Sequence, residues 1–466
     1  MKIRYLFLFS TFFFNSCNSY KDLPTFTENP AWKTQEIPAT PQSNTGNAEA
    51  GYTYLIEGDY IGGGTPFDIM KNKMLKKPDT VLARSGDNQY AFYWGNVFKT
   101  TNDTKVFAGN CLTCHSSALN GKVILGLGNS FADFKKSQAK TTKLLRLVVG
   151  LKYKKNSPTR QAFRAYGNSI KVLPPYIITN NSGVNPAFRL EEACTIYRNP
   201  VDLLHQKKAN FKPISYTLAS DIPPLWNITK KNALYYNGMG RGSMTKLLMQ
   251  ASLLGIPDTT TARKVHENFD DILAWLKSIT PPPYPREIDK DKLIAGQTIF
   301  EKHCSSCHGT YGNKSKYPNK LVALHIVKTD PLYARYFSQN SHLVEWYNKS
   351  WFANSTPKST LQAEDGYVAP PLDGIWASAP YLHNGSVPTL EDLLNSSQRP
   401  IKWQRSASSY EYDYQKVGWK YTITSKNNGD RIYNTTLPGY GNTGHTFGDK
   451  LSPEERSNLI EYLKSL

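Results

Sequence analysis

Cys111-Leu112-Thr113-Cys114-His115 and Cys304-Ser305-Ser306-Cys307-His308 are two copies of Cys-x-x-Cys-His, 193 positions apart. Two thiols at this spacing can each add to a vinyl group on one porphyrin edge, while the next residue supplies an imidazole to the iron. Two Cys-x-x-Cys pairs sharing one zinc would leave both following histidines without a purpose, and a dithiol redox motif needs neither histidine. The motifs therefore predict two covalently bound haem c groups. Cys111, Cys114, Cys304 and Cys307 are the attachment points, and His115 and His308 the proximal iron ligands.

Haem c is attached outside the bacterial cytoplasm, and the chain opens as an exported one does. Lys2 and Arg4 precede an apolar run from Tyr5 to Phe14, too short to span a bilayer, and Asn15-Ser16-Cys17 follows. A small residue just before a cysteine at this place resembles a lipoprotein cleavage site, with Cys17 as the lipidated residue. The reading is a signal segment over 1–16 and a polar, Pro-containing tether over 17–50. The body is expected to be held to a membrane by lipid, in the periplasm or at the cell surface, as an outer-membrane lipoprotein. Of the 6 cysteines, only Cys194 then lacks a role, and its apolar neighbours mark it as a buried free thiol.

The formal charge of +19 in 466 residues fits an acidic redox partner or an anionic membrane face. In an exported haem protein it does not argue for nucleic acid. Oligomeric state is not legible.

At the C-terminus, Ser452, Pro453 and Glu455 form a helix-start signature ahead of Leu459, Ile460, Tyr462, Leu463 and Leu466 at helical spacing. The run Asp271-Ile272-Leu273-Ala274-Trp275-Leu276-Lys277-Ser278-Ile279 echoes Asn458-Leu459-Ile460-Glu461-Tyr462-Leu463-Lys464-Ser465-Leu466, so the chain holds two related units. Between them, Thr280-Pro281-Pro282-Pro283-Tyr284-Pro285 is a stiff linker. A helix from near Asp289 then runs into Cys304. The expected fold is mainly α: two cytochrome c-like domains, 51–280 and 286–466. The first carries long irregular insertions, including Ile222-Pro223-Pro224-Leu225-Trp226.

The sixth iron position decides between electron transfer and substrate chemistry. For the second haem its own domain offers His325, His342, His383 and His445 and no methionine, since none follows Met249. A histidine pair or an open site remains.

The stretch Ala379-Pro380-Tyr381-Leu382-His383-Asn384-Gly385-Ser386-Val387-Pro388-Thr389-Leu390 resembles the signature of the bacterial di-haem cytochrome c peroxidase superfamily, which includes the haem-dependent rubber oxygenases. In the peroxidases a Met about fourteen residues further on binds iron; Asn395-Ser396-Ser397 stands here. The resemblance to the rubber-oxygenase branch implies His445 as the distal ligand, with His383 near or between the haems. Gly126-Leu127-Gly128-Asn129-Ser130-Phe131-Ala132 carries no histidine where the peroxidases place one, so the sixth position of the first haem falls to His205, His266, one of Met239, Met244 and Met249, or nothing, and the rubber-oxygenase resemblance implies an open face. On the same basis Trp226 is expected in the pocket of that haem. Arg241, in a Gly-rich run, is placed to bond bound peroxide or a haem propionate. Substrate contacts are thus assigned to Trp226, Arg241 and His383.

The function expected is an exported oxidoreductase whose first haem binds peroxide or dioxygen and whose second transfers electrons. The alternative is a pure electron carrier with both haems six-coordinate, docking a redox partner protein.

Overall fold

The structure, a computed structural model, describes residues 23, 25–27, 32–213, 216–313, 315–339 and 342–466. The export signal and Cys17 lie outside the described residues.

Two helix pairs frame the molecule. In the first half α1 (Ala48–Glu57) is capped by Asn47, whose side chain accepts from Ala50 N–H. It is followed by α2 (Ala139–Lys152) and α3 (Pro158–Val172), the latter capped by Ser157 with Pro158 at its first position. This half closes with α4 (Phe269–Ser278), which crosses α1. In the second half α5 (Lys290–His303), capped by Asp289, runs into the second Cys-x-x-Cys-His. It is crossed by the closing α6 (Pro453–Lys464), whose Ser452 and Glu455 form a reciprocal capping box.

The two crossings are built alike. A Cβ added at Gly51 would lie 1.9 Å from the carbonyl oxygen of Asp271, and one added at Gly296 would lie 1.9 Å from that of Asn458. Asp271 and Asn458 occupy the same place in the repeated closing-helix sequence, so each crossing is closed by one glycine at its tightest point. Leu55 and Phe300, four residues after each glycine, are buried, each contributing about 1.5–3 kcal/mol. Aromatic pairs complete the crossings: Tyr52 with Trp275 at 5.8 Å and Phe300 with Tyr462 at 5.2 Å.

The mainly α expectation is overturned. Helix accounts for 38% and strand for 14%, in several small sheets, so the fold is mixed α and β. The strands lie in the long connections. Between α1 and the first haem motif, Gly95–Lys99 pairs with Lys105–Gly109, which also takes Thr65–Pro66. Directly after His115 comes a hairpin of Ser116–Leu119 and Lys122–Leu125, turned by Asn120 and Gly121 at φ +49° and +75°, the Asn-Gly turn that matches strand twist. Further on, Lys320–Ala323 lies between Gly366–Val368 and Gln35–Glu36, and Lys402–Arg405 between Tyr421–Ile423 and Ile432–Asn434.

The N-terminal run lies against the body, with Ile37 buried and Gln42 bonded to Gly242 and Met244. Cys194 is a buried free thiol, which burial pushes up to about 12.

Candidate haem sites

The first motif is a single 3-10 turn, Cys111–Thr113, held by buried polar groups. Asn110 caps it by accepting from Leu112 N–H at 2.9 Å and donates to Asn96 Oδ1 at 2.8 Å and to Tyr93 O at 3.0 Å. The hydroxyl of buried Tyr60 accepts from Cys111 N–H at 2.9 Å. Loss of solvation pushes the Cys114 thiol up to about 11 and the His115 imidazole down to about 4. That leaves the ring neutral, the form that binds a metal. The backbone of Pro223 faces His115 and favours its charged form, but His115 Nδ1 closes no hydrogen bond of normal geometry.

In the second motif α5 breaks at Cys304, and a short turn, Ser305–His308, ends at Gly309 with φ +82°. His308 Nδ1 lies 2.8 Å from the carbonyl oxygen of Pro370. A backbone carbonyl on one ring nitrogen fixes the tautomer and leaves Nε2 for a metal. The carbonyl is itself held in place: Tyr317 donates to Ala369 O at 2.5 Å, and Tyr311 accepts from Leu372 N–H at 2.6 Å.

A cavity of about 330 Å³ opens beside this motif. Cys304, Cys307 and His308 line it together with His445, Phe300, Leu372, Leu394 and Leu463. The His308 and His445 rings both border it, with centres 6.2 Å apart and planes at 62°. Two imidazoles on opposite sides of one metal put their centres about 6 Å apart, from about 2.0 Å per metal–nitrogen bond and about 1.1 Å from nitrogen to ring centre. Two thiols and two imidazoles along an apolar cavity therefore fit a haem c group. Among the described residues no three His, Cys, Asp or Glu side chains converge to hold a metal by themselves.

His445 sits at φ +46° after Gly444 at +71°, where a Cβ on Gly444 would meet Lys328 C at 2.1 Å. Buried Arg399 clamps this strained loop. Its Nη1 donates to the carbonyls of Asn442 and Gly444 at 2.7 and 2.6 Å, and its Nη2 to those of His445 and Leu393 at 3.0 and 2.8 Å. Burial pushes His445 down to about 3.

The three residues assigned to substrate separate. His383 lines the cavity of the second motif, stacked on Tyr367 at 4.0 Å, with Nε2 unpartnered and its pKa pushed down to about 3 by burial. Beside it Asp221 accepts from Tyr236 at 2.8 Å, and burial pushes its carboxyl up to about 8. Arg241 pairs with Glu364 at 3.3 Å, on a strand, Gly240–Gly242, that joins Ser359–Leu361. Trp226 belongs to the run that meets His115 through Pro223. Its ring packs in the core of the second helix pair with Phe300, Leu372 and Trp376.

Sequence reasoning missed Pro223, Pro370 and Arg399. The first two carry a visible signal, since Pro223-Pro224-Leu225 and Pro370-Pro371-Leu372 repeat one tripeptide.

A family model described as RoxA-like, cytochrome c-like matches residues 366–404, which include Pro370, His383 and Arg399. The chain is similar to the uncharacterized proteins y4iM and y4iJ of Sinorhizobium fredii. Identity is 27% over 294 residues (54% of this chain, 65% of the relative) and 28% over 252 residues (40% and 41%). The matches thus span less than two thirds of each relative. Among solved structures, Kuenenia stuttgartiensis hydrazine synthase, pressurized with 20 bar xenon, aligns at a TM-score of 0.24 and 15% identity, covering 53% of this chain and 73% of that one. The stretch matched by the family model supplies the carbonyl that orients His308, which supports haem c as the cofactor.

Proposed function

We propose that the chain is an exported di-haem c-type cytochrome acting as an oxidoreductase, with separate roles for the two haems. Haem c supplies reversible one-electron chemistry and, where an axial position is free, a binding place for peroxide or dioxygen. The observation that carries the reading is the 6.2 Å separation of the His308 and His445 rings. Pro370 orienting one imidazole and Arg399 holding the loop of the other support two protein ligands at the second site. Such ligation suits electron transfer and leaves no iron position for a small oxidant.

The first site is built differently. Cys111, Cys114 and His115 stand on a rigid turn, and the run 126–132 brings no histidine to them. An open face there is the place for the oxidant. Trp226 lies between the two proximal runs, bonded to one and part of the other. The opening sequence and Cys17 support export and lipid attachment.

The test is absorption and electron paramagnetic resonance spectroscopy of the haem-loaded protein, before and after carbon monoxide or peroxide. One low-spin bis-imidazole haem beside one ligand-binding haem supports the oxidoreductase. Two low-spin haems that ignore both ligands, even after half reduction, make the protein an electron carrier docking a redox partner.

A further inference from the structure

The helix α2 reads Ala139-Lys140-Thr141-Thr142-Lys143-Leu144-Leu145-Arg146-Leu147-Val148-Val149-Gly150-Leu151-Lys152. Buried Val149 and half-buried Leu145 fasten it against the main core. On the side away from the body Leu144, Leu147, Val148 and Leu151 are 61%, 56%, 37% and 80% exposed. Positions i, i+3, i+4 and i+7 make one continuous stripe along a helix, so four large apolar side chains form a single ridge facing water. Scattered apolar residues on a surface need no explanation; a contiguous ridge does.

The surroundings of the ridge select its partner. At about 100° per residue, Lys143 flanks the ridge on one side and Lys152 on the other, with Lys140 at its N-terminal end. Lys154 and Lys155 follow directly. No Asp or Glu occurs in residues 134–190, which hold twelve Lys and Arg. Lys152 is paired with Asp68 from outside that stretch, at 2.7 Å. An apolar ridge with basic shoulders and no acid is the pattern of a helix lying in the interface of an anionic bilayer, its leucines among the acyl chains and its cations at the headgroups. Fourteen residues extend about 21 Å, less than the hydrocarbon thickness of about 30 Å, so this helix lies on a membrane and does not cross one.

We propose that α2 is a second membrane contact, independent of lipid at Cys17, that docks the folded body on an anionic lipid surface through Leu144, Leu147, Val148 and Leu151. An anchor at the N-terminus alone leaves the body free to tumble; a second contact fixes which face of the protein meets the membrane.

The experiment is co-sedimentation of the haem-loaded full chain with phosphatidylcholine vesicles, with and without phosphatidylglycerol. Every arm carries Cys17→Ser so that no lipid is added there, and the readout is the gain in bound protein on adding phosphatidylglycerol. The gain falls about tenfold or more in Leu147→Asp/Leu151→Asp and in Lys140→Glu/Lys143→Glu, and it weakens with salt. Lys140, Lys143, Leu147 and Leu151 are all exposed, and an unchanged haem spectrum certifies the fold. An equal gain in wild type and both variants overturns the proposal, as does the absence of any gain. Sedimentation of the wild type as a dimer that Leu147→Asp/Leu151→Asp dissociates also overturns it, because the ridge would then be covered by a second copy.

Discussion

The indole nitrogen of Trp226 donates to the carbonyl oxygen of Asp373 at 2.8 Å, and this bond ties together the two Pro-Pro-Leu runs that face His115 and His308. Asn227 adds a bond to Pro371 O at 3.2 Å, and Lys230 grips the Asp373 carboxylate at 2.7 and 2.8 Å. A displacement of one proximal run is therefore felt by the other. The path from His115 to His308 passes through Pro223, Trp226, Asp373 and Pro370 with a single non-covalent step between the runs.

Trp226→Phe removes the donor and leaves the Asp373 carbonyl buried without it, and the smaller ring opens space beside Gly374, whose added Cβ would lie 3.1 Å from the indole. The expected loss is about 1–3 kcal/mol in urea unfolding followed by circular dichroism, with both haem absorption bands retained. Electron exchange between the haems, followed after flash reduction, slows in the same variant. A variant as stable as wild type would show that the bond does not hold the runs together.

Gly51→Ala and Gly296→Ala should each cost about 1–3 kcal/mol or more, because the new Cβ meets a helix carbonyl that cannot move without opening the crossing. Thermal unfolding measures both. Similar losses at positions from opposite halves are the signature of a duplicated crossing; a loss at one glycine only would mean that the second crossing yields.

The closing helices α4 and α6 were legible because they carry long runs at helical spacing, and α6 an unambiguous capping box. Their partner α1 was not: Ala-Glu-Ala-Gly-Tyr-Thr-Tyr-Leu-Ile-Glu offers a glycine, a threonine and two tyrosines, and its helix is held by packing on α4. The strands were missed because most run two to five residues and pair across long separations, as Gln35 does with Leu321. The Asn120-Gly121 turn was a local signal left unread. The two Cys-x-x-Cys-His motifs stand out in the sequence because their spacing is local. The clamp by Arg399 was invisible, because its acceptors at Asn442, Gly444 and His445 are backbone atoms more than forty residues away.

The Asp221 carboxyl makes stability depend on pH in a definite direction. Its folded pKa of about 8 lies above the ordinary value of 3.8, so between those limits the folded state holds a proton that the unfolded state has lost. Its contribution to stability is present in acid and is lost as pH rises toward 8, with a slope approaching about 1.4 kcal/mol per pH unit. Asp221→Asn removes this dependence while keeping an acceptor for Tyr236. Urea unfolding at a series of pH values from 5 to 8, about the range in which the two states differ, should show a flatter profile for the variant. An identical slope would mean that the carboxyl is ionised in the folded protein.

Arg399 is a positioning residue for His445, and its removal should be read in the haem spectrum before it is read in stability. Its guanidinium satisfies five backbone carbonyls, three of them in the loop 442–445, the fifth being Asp392 O at 3.1 Å from Nε. Arg399→Gln leaves several of them buried without a donor, at a cost of about 2–4 kcal/mol. The left-handed backbone at Gly444 and His445 then relaxes, and the imidazole withdraws from its place 6.2 Å from His308. The second haem is expected to change in part from low-spin to high-spin and to bind carbon monoxide. His445→Ala should do so completely, and Arg399→Lys should fall between, since one ammonium reaches fewer carbonyls than the planar fork. A variant that loses stability yet keeps the wild-type spectrum would reduce Arg399 to a purely structural role, whereas graded high-spin character across Lys, Gln and the His445 variant ties the clamp to the sixth position of the iron.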